Sequence, residues 1–182
     1  CQERDLHHGP IIMWVRSGSA VHKTWPHIDN VFASILKEFP SAVIVTVGDE
    51  KCKVLERPWA SEPRILARSG VWGIRQTMAF AGKCDLVVGP ETGVMNAVAM
   101  EEVPKVVFLS HSSDDNLTRD WINTAALWSE ITPCAPCHKM IHKWEQCVRH
   151  ESGTAQCMQD ISANEVWGVI YNALRHRERA AA

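Results

Sequence analysis

Short continuous apolar runs alternate with helical periodicities along most of this 182-residue chain. Ile11-Ile12-Met13-Trp14-Val15 lies between Gly9-Pro10 and Ser17-Gly18-Ser19, which predicts a buried strand leading into a polar loop. Ile28, Val31, Phe32, Ile35, Leu36 and Phe39 then recur at helical spacing, with Pro26 suited to a first turn and Pro40 ending the run. Residues 42–47, all apolar except Thr46, read as a second buried strand closed by Gly48. Arg64-Ile65-Leu66-Ala67 is a weaker strand. Residues 74–81 predict a short helix with Ile74, Met78 and Ala81 on one face. Residues 85–89 predict a strand, 93–100 a helix of small residues, and 105–109 another strand. Ser162 caps a closing helix over 162–175, with Glu165 three residues on.

Strands that are apolar throughout, each followed by a helix, indicate a parallel sheet covered on both faces. The expected fold class is α/β: a Rossmann-like parallel sheet over about residues 9–111 and 162–178, within a single domain spanning 1–182. Residues 112–161 break the rhythm with Ser, Asp, Asn, Trp, Cys and His, and predict an irregular insert, cysteine-rich at about 130–160, before the last helix.

Charge and composition narrow the function. The net charge of -2 carries no electrostatic footprint for nucleic acid. No run of 18 apolar residues suggests a membrane span. The first five residues, Cys1 to Asp5, are polar, unlike a signal peptide, and lack Met, so the chain reads as processed or cut from something longer. Seven cysteines, an odd number in a chain of this size, favour a metal site in a reducing compartment over a disulfide scaffold.

Three stretches could carry chemistry. Gly89-Pro90-Glu91-Thr92-Gly93-Val94-Met95-Asn96 follows a strand and opens a helix, where doubly wound sheets bind ligands. Its Thr92 and Gly93 offer backbone N–H groups and close access to a phosphate. The alternative is a turn merely shaped by Pro90 and Gly93. Ser17-Gly18-Ser19-Ala20-Val21-His22-Lys23-Thr24-Trp25-Pro26 also joins a strand to a helix. It lacks Walker A spacing but holds Ser17, Ser19 and the cation Lys23, which is a surface charge unless the two loops converge on a diphosphate. Cys134-Ala135-Pro136-Cys137, Cys147 and Cys157 form C-x2-C-x9-C-x9-C. That pattern suits a tetrahedral thiolate site for zinc or iron, with two disulfides or free thiols as the other readings. His138, His142 and His150 lie nearby as substitute ligands or surface residues. Asp49 and Glu50, after the second strand, could hold a ribose or sit in a solvated turn. Trp25 and Trp72 could flank a base or sugar. Cys52 and Cys84 read as packing.

In this order the three motifs resemble the C-terminal, nucleotide-sugar-binding domain of the ADP-heptose:lipopolysaccharide heptosyltransferase family (glycosyltransferase family 9). That family has a GT-B fold of two Rossmann-like domains. The resemblance rests on Lys23-Thr24-Trp25-Pro26, on Glu91-Thr92-Gly93-Val94-Met95-Asn96 against the family's Asp-Thr-Gly-x-x-His, and on the four cysteines followed by Ile161-Ser162. It covers about residues 10–175. It implies a donor-binding glycosyltransferase domain for an ADP-heptose-like sugar, with a lipopolysaccharide or other glycan or protein acceptor. Lys23 would act on the diphosphate as the catalytic cation. Ser17, Ser19, Lys23, Glu50, Glu91, Thr92, Gly93 and Asn96 would contact the nucleotide sugar. Cys134, Cys137, Cys147 and Cys157 would hold structural zinc or iron. No organic cofactor is expected, and the location would be bacterial and cytoplasmic, or at the inner face of the membrane. Two positions depart from the pattern: Glu91 is one methylene longer than the family's Asp, and Asn96 replaces its His. With no α/β domain before residue 9, the resemblance implies an N-terminal acceptor-binding domain supplied by the parent protein. The competing reading is a non-catalytic binding or scaffold module with a structural metal site.

Overall fold

The computed structural model describes residues 9–181 except 21, 140 and 142. The polar start of the chain and His142 therefore lie outside the described residues. Six parallel strands form one sheet in the order β3-β2-β1-β4-β5-β6. They are β1 (Ile11–Val15), β2 (Val43–Val47), β3 (Ile65–Ala67), β4 (Leu86–Pro90), β5 (Lys105–Phe108) and β6 (Thr124–Leu127). The helices are α1 (Ile28–Glu38), α2 (Lys53–Glu56), α3 (Ile74–Ala81), α4 (Gly93–Ala97), α5 (Asp114–Leu117), α6 (Gln156–Asp160) and α7 (Ala163–Ala181). This is the Rossmann-like α/β architecture expected from the alternation.

Successive side chains of β1 serve opposite layers, as a pleated strand requires. Ile12 and Trp14 pack with α1, α6 and α7 on one face, against Val31, Phe32, Ile35, Met158, Val166 and Ile170. Met13 and Val15 pack on the other, against Ala81, Met95 and Val98. Both faces are dry, which is why the strands are apolar without alternation. Aromatic rings lock the first layer: Trp14 meets Phe32 edge-on at 5.0 Å between centroids, and Trp25 stacks on Phe108 at 4.9 Å.

The sequence expectations need three corrections. The insert is shorter than 112–161, because 124–127 pair with β5 as the edge strand β6. Its sequence, Thr-Ala-Ala-Leu, is too short and too small to announce a strand. In α3 the buried positions are Thr77 and Ala81, while Ile74 and Met78 are exposed. Of the three apolar positions only Ala81 lies on the buried face, which the polar Thr77 completes, so apolar spacing misplaces that face. Finally, α4 ends at Ala97 rather than near 100.

Candidate functional site

The strand order turns outward in both directions between β1 and β4, and the loops after those strands diverge there. A crevice at the carboxyl ends of the strands results from topology alone. Here it is an open cleft of about 430 Å³. Its walls come from the β1–α1 loop (Ser17, Gly18, Ser19, Lys23), the end of β2 (Gly48, Asp49) and the α4 start (Thr92, Gly93). Trp72, Ile74 and Thr77 close the remaining side.

The β1–α1 loop folds back on itself. Gly18 N–H donates to the Lys23 carbonyl at 3.2 Å, Lys23 N–H donates to Ala20 O at 3.0 Å, and the Ser17 and Thr24 hydroxyls bond at 2.7 Å. Gly18 is required by crowding. A Cβ there would lie 2.6 Å from Lys23 Cδ and 3.1 Å from Thr92 Cγ2. The Lys23 stem thus runs across Gly18 towards Thr92. The loop leaves through Trp25, whose Nε1 donates to Ile161 O at 2.9 Å, and His27, whose Nε2 lies 2.9 Å from Gln159 O. Trp25 is 1% exposed, so it anchors the loop and does not flank a ligand, whereas Trp72 does line the cleft.

Lys23 is 9% exposed. Burial holds its ammonium below the usual lysine range, and Glu91 partly opposes this. Among the described residues no carboxylate stands within ion-pair distance of it. A half-desolvated cation facing a cleft without a contact anion is a place for an anionic ligand. Opposite, the Thr92 hydroxyl oxygen caps α4 by accepting from Met95 N at 3.5 Å, and Gly93 is exposed, with open space where a Cβ would stand. A helix of five residues sums little dipole. The useful donors here are individual N–H groups.

Three residues expected in the ligand set stand elsewhere. Glu91 is 2% exposed and turned away from the cleft. Its carboxylate accepts from Ser110 N, the Ser110 hydroxyl, His111 N and Ser112 N at 2.9, 2.5, 2.8 and 3.2 Å. Burial disfavours its charge, but these donors and His111 outweigh burial and hold the carboxyl below its usual range. It braces the loop after β5. Glu50 points to solvent and pairs with Lys53 at 2.8 Å. Asp49 takes the cleft position instead, with Oδ1 accepting from Lys51 N and Cys52 N at 3.0 and 3.2 Å. Asn96 is exposed and outside the cleft wall.

The four late cysteines come together from three pieces of chain. Cys134 and Cys137 flank the Ala135-Pro136 turn, Cys147 follows the 3-10 turn Trp144–Gln146, and Cys157 lies on α6. All four are free and line one cavity of about 140 Å³. Burial and the neighbouring sulfurs push the Cys147 thiol up and the Cys157 thiol up to about 12. Four soft donors that repel one another when ionised suit a thiophilic cation such as zinc or iron. The sulfurs stand wider apart than in a closed coordination sphere: no three lie within 4.8 Å of one another. His138 and His150 do not line this cavity. Cys52 and Cys84 are buried in the body of the fold, their thiols pushed up by burial to about 11 and about 12.

No protein-family model and no curated protein sequence matches the chain. Solved structures do. ADP-heptose lipopolysaccharide heptosyltransferase II of E. coli superposes with a TM-score of 0.73 at 16% identity, over 94% of this chain and 48% of that one. A glycosyl transferase family 9 protein from Veillonella parvula DSM 2008 gives 0.71 at 15%, over 97% and 51%. The E. coli heptosyltransferase WaaC, solved with ADP, gives 0.66 at 11%, over 91% and 45%. The chain thus spans about half the length of the structures it matches. The likeness establishes the architecture: this is the Rossmann-like α/β fold found in heptosyltransferases and a family 9 glycosyltransferase.

Proposed function

We propose that this chain is the nucleotide-sugar-binding half of a glycosyltransferase, with an ADP-heptose-like donor. The observation that carries the reading is the switch-point cleft in which buried Lys23, without a contact anion among the described residues, faces the exposed N–H end of α4. Its support from outside the chain is the fold shared with heptosyltransferases, one of them solved with ADP.

In this reading the diphosphate lies between Lys23 and Gly93, with the Ser17, Ser19 and Thr92 hydroxyls as further donors. Asp49 accepts from the ribose hydroxyls through its carboxylate. When the bond from the anomeric carbon to the diphosphate breaks, negative charge grows on the leaving oxygen. Lys23 and the N–H groups are already oriented to receive it, so they stabilise the transition state more than the ground state. The acceptor hydroxyl and the base that takes its proton belong to an acceptor domain of the parent protein. Cys134, Cys137, Cys147 and Cys157 would hold zinc or iron, which would fold the insert against α6 and the loop after β5 without joining the reaction.

Calorimetric titration of the metal-replete chain with ADP, UDP and GDP tests the donor site. Selective ADP binding is expected, weakened roughly ten- to a hundredfold in Lys23→Ala, as suits loss of one charge-assisted contact of about 1.5–3 kcal/mol. Equal affinity in Lys23→Ala, or no nucleotide binding by folded protein, would sink the proposal.

A further inference from the structure

We infer that His22, Glu91 and His111 form a second metal site, for a divalent first-row cation such as zinc, with a donor set distinct from the four thiols although His22 also lines the cysteine cavity. The three residues are 69 and 20 positions apart in sequence, so no spacing motif marks them. The fold brings them together from the β1–α1 loop, the β4–α4 turn and the loop after β5. One ligand atom from each lies within 4.8 Å of the other two. His22 and Glu91 are each 2% exposed, and His111 is half-buried. Two imidazoles and one carboxylate are a common zinc donor set that leaves a coordination position open.

The local geometry favours shared ligation over an ordinary histidine–carboxylate pair. His111 Nδ1 lies 2.6 Å from Glu91 Oε1, yet it has no hydrogen bond of acceptable direction. The imidazole nitrogen and the carboxylate oxygen thus meet without an aligned hydrogen bond, and an ion between them would open the contact to the spacing of about 3 Å that two ligands at about 2.0–2.1 Å require. The His22 ring meets the His111 ring edge-on, 5.2 Å between centroids. Donors from Ser110 and His111 hold Glu91 Oε1, and Ser112 N holds Oε2, which fixes the carboxylate in place, the outer support that metal-binding carboxylates normally have.

The position gives the site a consequence. His22 precedes Lys23, and Glu91 precedes Thr92. An ion held here would tie together the two loops that flank the cleft, and it would draw the Glu91 charge away from Lys23.

Cobalt(II) titration of the metal-stripped full chain separates the two metal sites, because thiolate ligands give intense charge-transfer absorption and nitrogen–oxygen ligands give only weak d–d bands. The expected result is one equivalent that adds weak d–d absorption without the thiolate band, is displaced by zinc, and is lost in His111→Gln. Failure of the cysteine cavity shows separately, as absence of the thiolate band, and leaves this result intact. Wild-type chain whose cobalt uptake ends with the thiolate band overturns the inference without recourse to a variant. So does an unchanged number of equivalents in His111→Gln.

Discussion

The cleft after β1 and β4 and the cysteine cavity beside it lie on the same edge of the sheet but are made in different ways. The cleft exists because strand order reverses there, and its walls are mostly loop backbone, glycines and small side chains, with Lys23, Trp72 and Ile74 as the large ones. Few of its residues hold it open; it is what remains between elements that pack elsewhere. The cavity exists because four thiols from separate segments face one another, with little regular structure around them. The first is a property of topology and should tolerate change in its lining. The second depends on its side chains and on what they bind. The lesson is that a topological site can diverge in ligand while the fold persists, whereas the cysteine site must be kept whole or lost.

The strongest way to break this contrast is Trp25→Ala. Trp25 fills the core under the β1–α1 loop, stacks on Phe108 and donates to Ile161 O beside α6, so it supports both regions. Its removal should destabilise the chain by about 3–5 kcal/mol, read as a lower urea midpoint, and should weaken nucleotide binding and cysteine-site metal binding together. If only one property fell, the two regions would not share this support.

Metal removal separates them. If the four thiols hold an ion as proposed, chelation should open residues 130–157 to protease, because the insert holds few regular elements of its own. Loss of a cysteine-bound ion alone should leave ADP affinity within about twofold, since none of the four cysteines lines the cleft. Cys137→Ser should reproduce this in the presence of zinc. A large loss of nucleotide binding on chelation would mean that the insert shapes the cleft, or that the stripped ion is the one held by His22, Glu91 and His111; His111→Gln distinguishes these.

How far the sequence foretold each region follows the same division. The strands Ile11–Val15, Val43–Val47 and Lys105–Phe108 were legible because burial on both faces leaves them apolar apart from Thr46 and Lys105. The cleft was legible in outline, since loops after such strands must meet at the sheet edge. Its details were not. Whether Asp49 or Glu50 faces the cleft depends on a single 3-10 turn, in which Asp49 caps and Glu50 is swung outward to Lys53. The direction of Glu91 is set by amide groups 19 to 21 residues away, which no local pattern encodes. Trp25 sits in a loop motif, but its ring belongs to the core. The histidine–glutamate cluster had no signal at all, because its members meet only once the sheet is assembled.

Gly93→Ala sharpens the claim that the cleft is shaped for a ligand and not for packing. A methyl group at 93 would meet nothing within 4 Å in the chain itself. The substitution should therefore leave stability unchanged or raise it by about 0.4–1 kcal/mol, through the less flexible unfolded chain. If a phosphate oxygen approaches this backbone, the added methyl should still weaken ADP binding by about 1.4 kcal/mol, a tenfold loss. Gly18→Ala is the contrast: its Cβ would press on Lys23 and Thr92, so folding and binding should suffer together.

The smallest effect tests the remaining wall. Asp49→Asn keeps the capping oxygen for Lys51 N and Cys52 N, and Asn caps as well as Asp, so the fold should be unaffected. What changes is the charge offered to the ribose. Replacing a charge-assisted hydrogen bond with a neutral one should weaken ADP binding by about 1 kcal/mol, roughly fivefold. Glu50→Gln removes only an exposed ion pair with Lys53, of the kind that contributes little, and should leave affinity unchanged. Titration of both variants with ADP and with inorganic diphosphate decides the point. A loss seen for ADP but not for diphosphate in Asp49→Asn locates the ribose at this wall. The same loss in Glu50→Gln instead would mean that the 3-10 turn rearranges when ligand arrives. The cleft would then be less of a preformed topological feature than its shared fold suggests.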